Sequence, residues 1–270
     1  MMPMLDSIAI GNAAAALFEA EKTRQQIRPL TLTYPDMTMD DAYAVQRAWV
    51  DRKVADGDRI TGYKIGLTSR AMQNAMNITT PDFGVLLESM YFANNSTVVA
   101  ADFCDPRIEV ELAFVMKKPL FGNDVTIEQV LDATDYVVPS LELIAARSFR
   151  TDPESGYTRK VFDTIADNAA NAGYIVGDER FSPEDIDLRW SGAILYVNGE
   201  VEETGLAAGV QDHPAKGICW VCKRFANHGV GLEPGQLVLS GSFTRPVVAK
   251  AGDVMHCDYG PLGSIAVNFS

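Results

Sequence analysis

The sequence predicts an α+β protein in which a helical N-terminal segment precedes a β-rich body. Two observations support this class. Helix signals come first, because Asp6 precedes an alanine-rich apolar stretch and Thr38 stands three residues before Asp41 in a capping pattern. From Arg59 onwards, apolar runs of strand length alternate with turn residues.

Several segments of the body have individual signatures. Residues 106–114 and 136–144 have the alternating and continuous apolar patterns of strands. Ser182-Pro183 predicts a short helix with proline at its first position. Asn198-Gly199 predicts a hairpin with a type I′ turn. Residues 213–228 predict a further helix.

The domain organisation follows from this change of pattern. We predict an N-terminal helical segment over residues 1–75 and a β-rich catalytic domain over residues 76–270, with a single domain as the alternative.

Composition and charge exclude several classes of function. Acidic residues outnumber basic ones by 36 to 23, giving a net charge of −13, so nucleic acid and anionic membrane are not expected partners. No run approaches the ~20 apolar residues of a membrane span. The N-terminus has no basic run before its apolar stretch and predicts no signal peptide. Four cysteines form no disulfide framework at this length, which predicts a reducing, cytoplasmic location.

Two carboxylates in one predicted strand are candidate metal ligands. Glu109 and Glu111 are two residues apart, so they share one face of the strand at a spacing of about 7 Å. Hard cations such as Mg²⁺ prefer such oxygen ligands. The alternative interpretation is an amphipathic strand with a solvated acidic face.

Two further charged residues extend this hypothesis. Glu142 lies in an almost wholly apolar strand, so it is either a third metal ligand or one partner of a buried ion pair with an arginine. Lys64 precedes a glycine turn, where it is either an acid–base group or a surface lysine.

Six motifs in order resemble the hydratase/decarboxylase branch of the fumarylacetoacetate hydrolase-like superfamily. The resemblance extends over almost the whole chain. Six motifs in the same order are more specific evidence than any single motif. The matching segments are residues 41–46, 64–69, 81–84, 106–114, 161–173 and 239–242.

The resemblance implies a mixed β-sheet roll and a set of site residues. The metal-binding carboxylates of the family fall on Glu109, Glu111 and Glu142. Its active-site lysine and aspartate fall on Lys64 and Asp82.

Substrate contacts are implied at Leu67, Lys160 and Ser242. The wider superfamily often has threonine at the position of Ser242, and serine keeps the hydroxyl group.

The resemblance also implies an activity. It is the hydration of an unsaturated 2-oxo dicarboxylate in the homoprotocatechuate meta-cleavage pathway, with Mg²⁺ as cofactor and Mn²⁺ as the alternative. The enzyme is expected to be a homo-oligomer, with a decamer as the implied size. The distal carboxylate of such a substrate needs a cationic partner, and Arg70, Arg147 and Arg159 are the candidates.

Three other functions stay open at this stage. Hydration of the five-carbon 2-hydroxypenta-2,4-dienoate and decarboxylation of 4-oxalocrotonate both use the same kind of metal site. Decarboxylases of this branch tend to have glycine between the paired carboxylates, where Val110 stands here. A non-catalytic partner subunit is expected to have lost acidic ligands or the lysine, and all of them are present.

Overall fold

The structure is a computed structural model that describes residues 5–69, 73 and 78–270. The helices are α1 (Ser7–Thr23), α2 (Leu30–Thr33), α3 (Met39–Ala55), α4 (Ile127–Ala133), α5 (Val161–Ala166) and α6 (Ala215–Ala226). The strands are β1 (Ile60–Gly66), β2 (Asp82–Leu87), β3 (Tyr91–Phe92), β4 (Ser96–Val98), β5 (Arg107–Met116), β6 (Thr134–Ile144), β7 (Asn171–Val176), β8 (Gly192–Val197), β9 (Glu200–Leu206), β10 (Leu237–Leu239), β11 (Val247–Val248), β12 (Val254–Asp258) and β13 (Ser264–Phe269).

The N-terminal helices begin where the sequence predicts. The Asp6 side chain accepts a hydrogen bond from the N–H of Ala9 at 2.8 Å and caps α1. Thr38 and Asp41 form a reciprocal capping box at the start of α3. Each cap supplies an acceptor for an N–H group that has no partner inside its helix. The two predicted capped helices are confirmed.

The larger sheet is mixed and has β5 and β6 at its centre. Its strand order is β2-β1-β10-β5-β6-β7-β3, and β11 also pairs with β5. Strands β1 and β10 run parallel, whereas β5 and β6 form a long antiparallel pair. The smaller sheet has the order β4-β13-β12-β8-β9.

The two faces of β5 enter different parts of the core. Ile108, Val110 and Leu112 pack in the hydrophobic cluster that also contains the smaller sheet. Ala113, on the face of Glu109 and Glu111, packs in the cluster that contains the N-terminal helices. The acidic side chains of β5 therefore point into the layer between the larger sheet and the helices.

The turn-based predictions hold for the hairpin and fail for one helix. Asn198-Gly199 joins β8 to β9 with positive φ at both residues, as predicted. The predicted helix at Ser182-Pro183 is wrong, because this segment forms only turns. Phe181, just before it, exchanges two backbone hydrogen bonds with Val137 of β6, and the N–H of Asp185 then donates to the carbonyl of Ser182 at 3.0 Å, which closes a single turn that does not continue as a helix.

The α+β class and the mixed sheet are confirmed. Strand β1 lies before the predicted boundary at residues 75 and 76, yet it pairs with β10 near the end of the chain. The boundary itself stays a prediction. Among the described residues, no helix combines the length and apolar character needed to cross a membrane.

Candidate active site

Strand register brings three carboxylates together. Glu109 of β5 and Glu142 of β6 are directly opposite each other, and Glu111 lies opposite Ser140. Because Glu109 and Glu111 share a face, all three side chains converge on one point. One carboxylate oxygen from each lies within 4.8 Å of the others, which is a spacing that can hold a metal ion.

These carboxylates are not a solvated acidic face. Glu111 is 1% exposed, so that interpretation is wrong for Glu111, and Glu109 is half-buried. The ion pair of Glu142 is with Lys64, whose Nζ lies 3.1 Å from Oε1, and not with an arginine. Lys64 is itself buried, so it is not a surface lysine.

Glu142 leaves one oxygen free for a further partner. Its Oε1 accepts a hydrogen bond from Nδ2 of Asn171 at 2.8 Å in addition to the contact with Lys64. Its Oε2 is buried and has no hydrogen-bond partner among the described residues. A buried carboxylate oxygen without a partner is energetically costly, and a divalent cation removes that cost. The three glutamates therefore fit a hard metal ion that takes oxygen ligands.

The backbone after β10 fixes Glu111. The N–H of Gly241 donates to Oε2 of Glu111 at 2.8 Å. Gly241 has φ of +119°, and a Cβ there would lie 2.4 Å from Oγ1 of Thr68. Only glycine suits this conformation and this close approach.

Lys64 and Asp82 face the same cavity from neighbouring strands. In the pairing of β1 with β2, Lys64 lies opposite Gly84 and Gly66 lies opposite Asp82. Lys64 and Asp82 are therefore diagonal neighbours on one face. A Cβ on Gly66 would lie 2.3 Å from Oδ1 of Asp82 and 3.3 Å from Nζ of Lys64, so both groups occupy the space above this glycine.

Burial and mutual repulsion raise the pKa values of two carboxyl groups. For Glu109, burial is the largest cause and the charge of Glu142 adds to it, which raises the pKa to about 7 although Lys64 opposes the shift. Burial, Glu142 and Glu109 raise the pKa of Glu111 well above its ordinary value. Without a cation, these groups retain protons that a metal ion would displace.

Lys64 and Asp82 differ in their preferred protonation states. Burial alone would lower the pKa of Lys64, but the charges of Glu142 and the other three carboxylates outweigh it and raise that pKa. Lys64 is therefore held as an ammonium group. Burial raises the pKa of Asp82 to about 6 against the opposing charge of Lys64. Oδ1 of Asp82 is buried and has no partner among the described residues, so it is available for proton exchange.

Lys64, Asp82, Glu109 and Glu111 line a cavity of about 440 Å³. Leu67 and Ser242 line it as well. Leu67 has φ of +54°, an uncommon backbone conformation for a leucine. The hydroxyl of Ser242 donates to backbone carbonyls of Val110 and Thr244. Lys160 is exposed at the start of α5 and does not line the cavity in this structure. The substrate-binding roles of Leu67, Lys160 and Ser242 stay predictions.

Three supporting residues were not predicted from the sequence. Asn171 holds Glu142, and Arg150 lines the cavity. The hydroxyl of Tyr259 donates to the carbonyls of Glu111 and Ser140 and so ties the smaller sheet to β5 and β6. Asn171 lies within a matched motif, but no pattern in the sequence marked Arg150 or Tyr259.

The three arginines expected near a distal carboxylate have different positions. Arg147 lies in a separate cavity and is paired with Asp167 at 3.0 Å, so the structure does not bring it to the site. Arg159 lines the site. Arg70 lies outside the described residues.

Comparison with known proteins identifies the family. Residues 60–270 match the family described as Fumarylacetoacetate (FAA) hydrolase C-terminal. The chain belongs to the fumarylacetoacetate hydrolase family. The resemblance found in the six motifs is thereby confirmed.

Individual relatives within this family match almost the whole chain. The 2-oxo-hept-4-ene-1,7-dioate hydratase of Escherichia coli is 54% identical over 95% of this chain and 96% of its own length. The 2-keto-4-pentenoate hydratase of Paraburkholderia xenovorans (strain LB400) is 36% identical over 95% and 93%. The structure of 4-oxalocrotonate decarboxylase from Pseudomonas putida G7, complexed with magnesium and adipate, superposes with a TM-score of 0.94 at 32% identity and covers 100% of both chains.

Proposed function

We propose that this protein is a divalent-metal-dependent hydratase that converts 2-oxohept-4-ene-1,7-dioate into 4-hydroxy-2-oxoheptanedioate. The observation that carries the proposal is the convergence of Glu109, Glu111 and Glu142 beside Lys64 and Asp82 in one region of the protein. The 54% identity to a hydratase of this substrate supports the same assignment.

The cofactor is Mg²⁺, with Mn²⁺ as the alternative. Three carboxylate ligands leave about three of six octahedral positions for substrate and water. A bound Mg²⁺ supplies a Lewis acid for the negative charge that develops on the 2-oxo oxygen. The magnesium in the related decarboxylase structure supports this choice.

Proton transfer is assigned to Asp82 and Lys64. The substrate loses a proton from C3 and gains one at C5, which moves the double bond from C4–C5 to C3–C4. Water then adds at C4 and a proton returns to C3, so the net change is the gain of one water molecule. Asp82, with a pKa of about 6 and a free oxygen, is the proton acceptor. Lys64, held as an ammonium by Glu142, is the proton donor.

The experiment uses purified, Mg²⁺-loaded protein and chemically generated dienols. We expect loss of the ultraviolet absorbance of 2-hydroxyhepta-2,4-dienedioate with formation of the 4-hydroxy-2-oxo acid, and slower use of 2-hydroxypenta-2,4-dienoate. Release of CO₂ from 4-oxalocrotonate is measured in parallel, because the structural similarity to a decarboxylase favours that reaction as the second candidate. Dominant CO₂ release, or equal use of the five-carbon acid, would contradict the proposal.

The presence of the complete site also distinguishes an enzyme from a partner subunit. A non-catalytic subunit has no need to bury three carboxylates and a lysine at a net cost in folding free energy. Turnover by the purified chain alone is the result expected of an enzyme.

A cytoplasmic homo-oligomer, with a decamer as its expected size, completes the proposal. Its four cysteines are all free thiols, which suits a reducing compartment. Large apolar side chains are exposed at Ile8, Phe121 and Trp190, which suits burial between subunits. Light scattering that reports a stable, active species of 29.4 kDa would contradict the oligomer.

A further inference from the structure

We propose that Arg159 binds the distal carboxylate of the substrate and so sets the preference for a dicarboxylate over a monocarboxylate. This inference rests on the proposed function and names a specificity residue within the same site.

The first observation is a buried guanidinium that has no direct ion pair among the described residues. Arg159 is only 8% exposed, and its Nη1 is buried without a hydrogen-bond partner. The nearest opposite charges in the described part of the chain are Asp167, Asp163 and Asp105, which act on Arg159 through space without a side-chain hydrogen bond to it. Arg147 provides the contrast, since it is equally buried but is paired with Asp167 and stacks on Trp49.

The second observation is the position of this charge. Arg159 lines the same cavity as Glu109, Glu111, Lys64 and Asp82. A buried charge without a partner is costly, so its retention beside a ligand cavity indicates that an anion completes it. Burial and the nearby charge of Arg150 lower the pKa of Arg159 to about 10, so the guanidinium is still positively charged at neutral pH.

A second arginine, Arg150, lines the same cavity. The N–H of Arg159 donates to the carbonyl of Arg150 at 3.0 Å, so the two residues are neighbours at the base of one loop. Nε of Arg150 donates to Asp105 at 2.6 Å, while its Nη2 is buried without a described partner. Arg150 therefore has a direct carboxylate partner, whereas Nη1 of Arg159 has none.

The charged groups that line the cavity suit a linear dicarboxylate. The 2-oxo acid end belongs at the three glutamates, and the reacting carbons belong beside Lys64 and Asp82. The charge of Arg159 lowers the pKa of Asp82, which puts the guanidinium within electrostatic reach of that aspartate. A carboxylate beyond the reacting carbons can then meet Arg159, whereas a five-carbon monocarboxylate leaves it unpaired.

Selectivity arises because a monocarboxylate leaves the buried charge of Arg159 unpaired. A site built to bind a charged group rejects an analogue that lacks it, because the buried partner in the protein stays unsatisfied. The metal site holds the end that both substrates share, so it contributes nothing to the discrimination.

The test compares Arg159→Gln and Arg159→Lys with the wild-type, Mg²⁺-loaded protein. The kcat/KM values for 2-hydroxyhepta-2,4-dienedioate and 2-hydroxypenta-2,4-dienoate give the selectivity ratio. Calorimetry with the unreactive acids 2-oxoheptanedioate and 2-oxopentanoate gives a binding ratio that does not depend on turnover. Arg189→Gln removes an exposed arginine that pairs with Asp212 outside the cavity and is the matched control.

We expect Arg159→Gln to reduce both ratios by about 10-fold or more. The kcat/KM and the affinity should fall for the seven-carbon acids and change little for the five-carbon acids. Arg159→Lys keeps the charge and should fall between wild type and Arg159→Gln, while Arg189→Gln keeps the wild-type ratio. Equal losses on both acids, or unchanged ratios, would overturn the assignment. If the wild type hydrates neither dienol, the proposed function fails, and the calorimetric ratio still decides the role of Arg159.

Discussion

Glu109 and Glu142 are directly paired residues on adjacent antiparallel strands, and their carboxylates face the same point. Like charges in this position repel each other, and such a pair is destabilising in an ordinary sheet. Lys64 offsets part of the repulsion by its contact with Glu142, and a divalent cation offsets the rest. The repulsion is therefore the property from which metal binding and its pH dependence follow.

Mg²⁺ should stabilise the protein more at pH 8 than at pH 6. The pKa of Glu109 is raised to about 7, so stability of the metal-free protein is highest while this group is protonated. That stability is lost as pH rises from the ordinary glutamate pKa of about 4.3 through 7, where the charged form becomes unpaired. Differential scanning fluorimetry with and without Mg²⁺ measures the difference in Tm. A Mg²⁺-induced shift that is equal at both pH values would contradict this prediction.

Lys64→Met should separate the catalytic role of Lys64 from its electrostatic role. Loss of the buried cation leaves Glu142 unpaired, which in chelator should cost about 3–5 kcal/mol of unfolding free energy. Excess Mg²⁺ should restore most of this stability but not turnover, and kcat should fall at least ~10²-fold. Chemical denaturation and steady-state kinetics on the same samples measure both effects. Normal kcat in the presence of Mg²⁺ would show that Lys64 has no part in proton transfer.

Asn171→Leu should weaken metal binding although Asn171 is not a ligand. Its Nδ2 holds Oε1 of Glu142, and loss of such a supporting contact typically reduces metal affinity by about 10- to 100-fold. Isothermal titration with Mn²⁺ measures the change. Asn94→Leu is the control, because half-buried Asn94 donates to Asp178 and contacts none of the three glutamates, and it should bind Mn²⁺ as the wild type does. Unchanged affinity of Asn171→Leu would show that Glu142 is positioned by other contacts.

Gly66→Ala should impair activity with little effect on the fold. The new Cβ would lie 2.3 Å from Oδ1 of Asp82, so the aspartate must move, and a displacement near 1 Å costs on the order of 10²-fold in rate. Gly11→Ala is the control, because nothing lies within 4 Å of its Cβ in α1 and the substitution should stabilise that helix by about 0.5–1 kcal/mol. Steady-state kinetics and thermal unfolding test the pair. A wild-type kcat in Gly66→Ala would show that Asp82 has no part in proton transfer.

The sequence predicts those parts of the fold and site that depend on local pattern. Capping at Asp6 and Thr38 and the turn at Asn198-Gly199 depend on short-range chemistry, and each is confirmed. The alternation of Glu109 and Glu111 placed them on one face in the same way. The helix predicted after Ser182 is wrong, because a proline after a possible cap starts a single turn as readily as a helix, and the turn closed by Asp185 does not continue.

The sequence alone does not reveal the contacts that depend on the register between distant strands. The pairing of Glu109 with Glu142 joins residues from two strands, and only the folded sheet makes it visible. The ion pair of Glu142 with Lys64 likewise joins β6 to β1 across the two intervening strands, β5 and β10. Arg150 and Arg159 reach the cavity through one loop, and no spacing rule distinguishes them from Arg147, which is buried elsewhere.

The most direct test of the account is a titration of chelator-treated protein with Mn²⁺, in which bound metal and hydration of 2-hydroxyhepta-2,4-dienedioate are followed together. We predict one ion bound per chain at Glu109, Glu111 and Glu142, with activity rising in proportion to bound metal, and loss of both in Glu142→Gln. Full turnover by the metal-free protein, or unchanged Mn²⁺ binding by Glu142→Gln, would contradict the account.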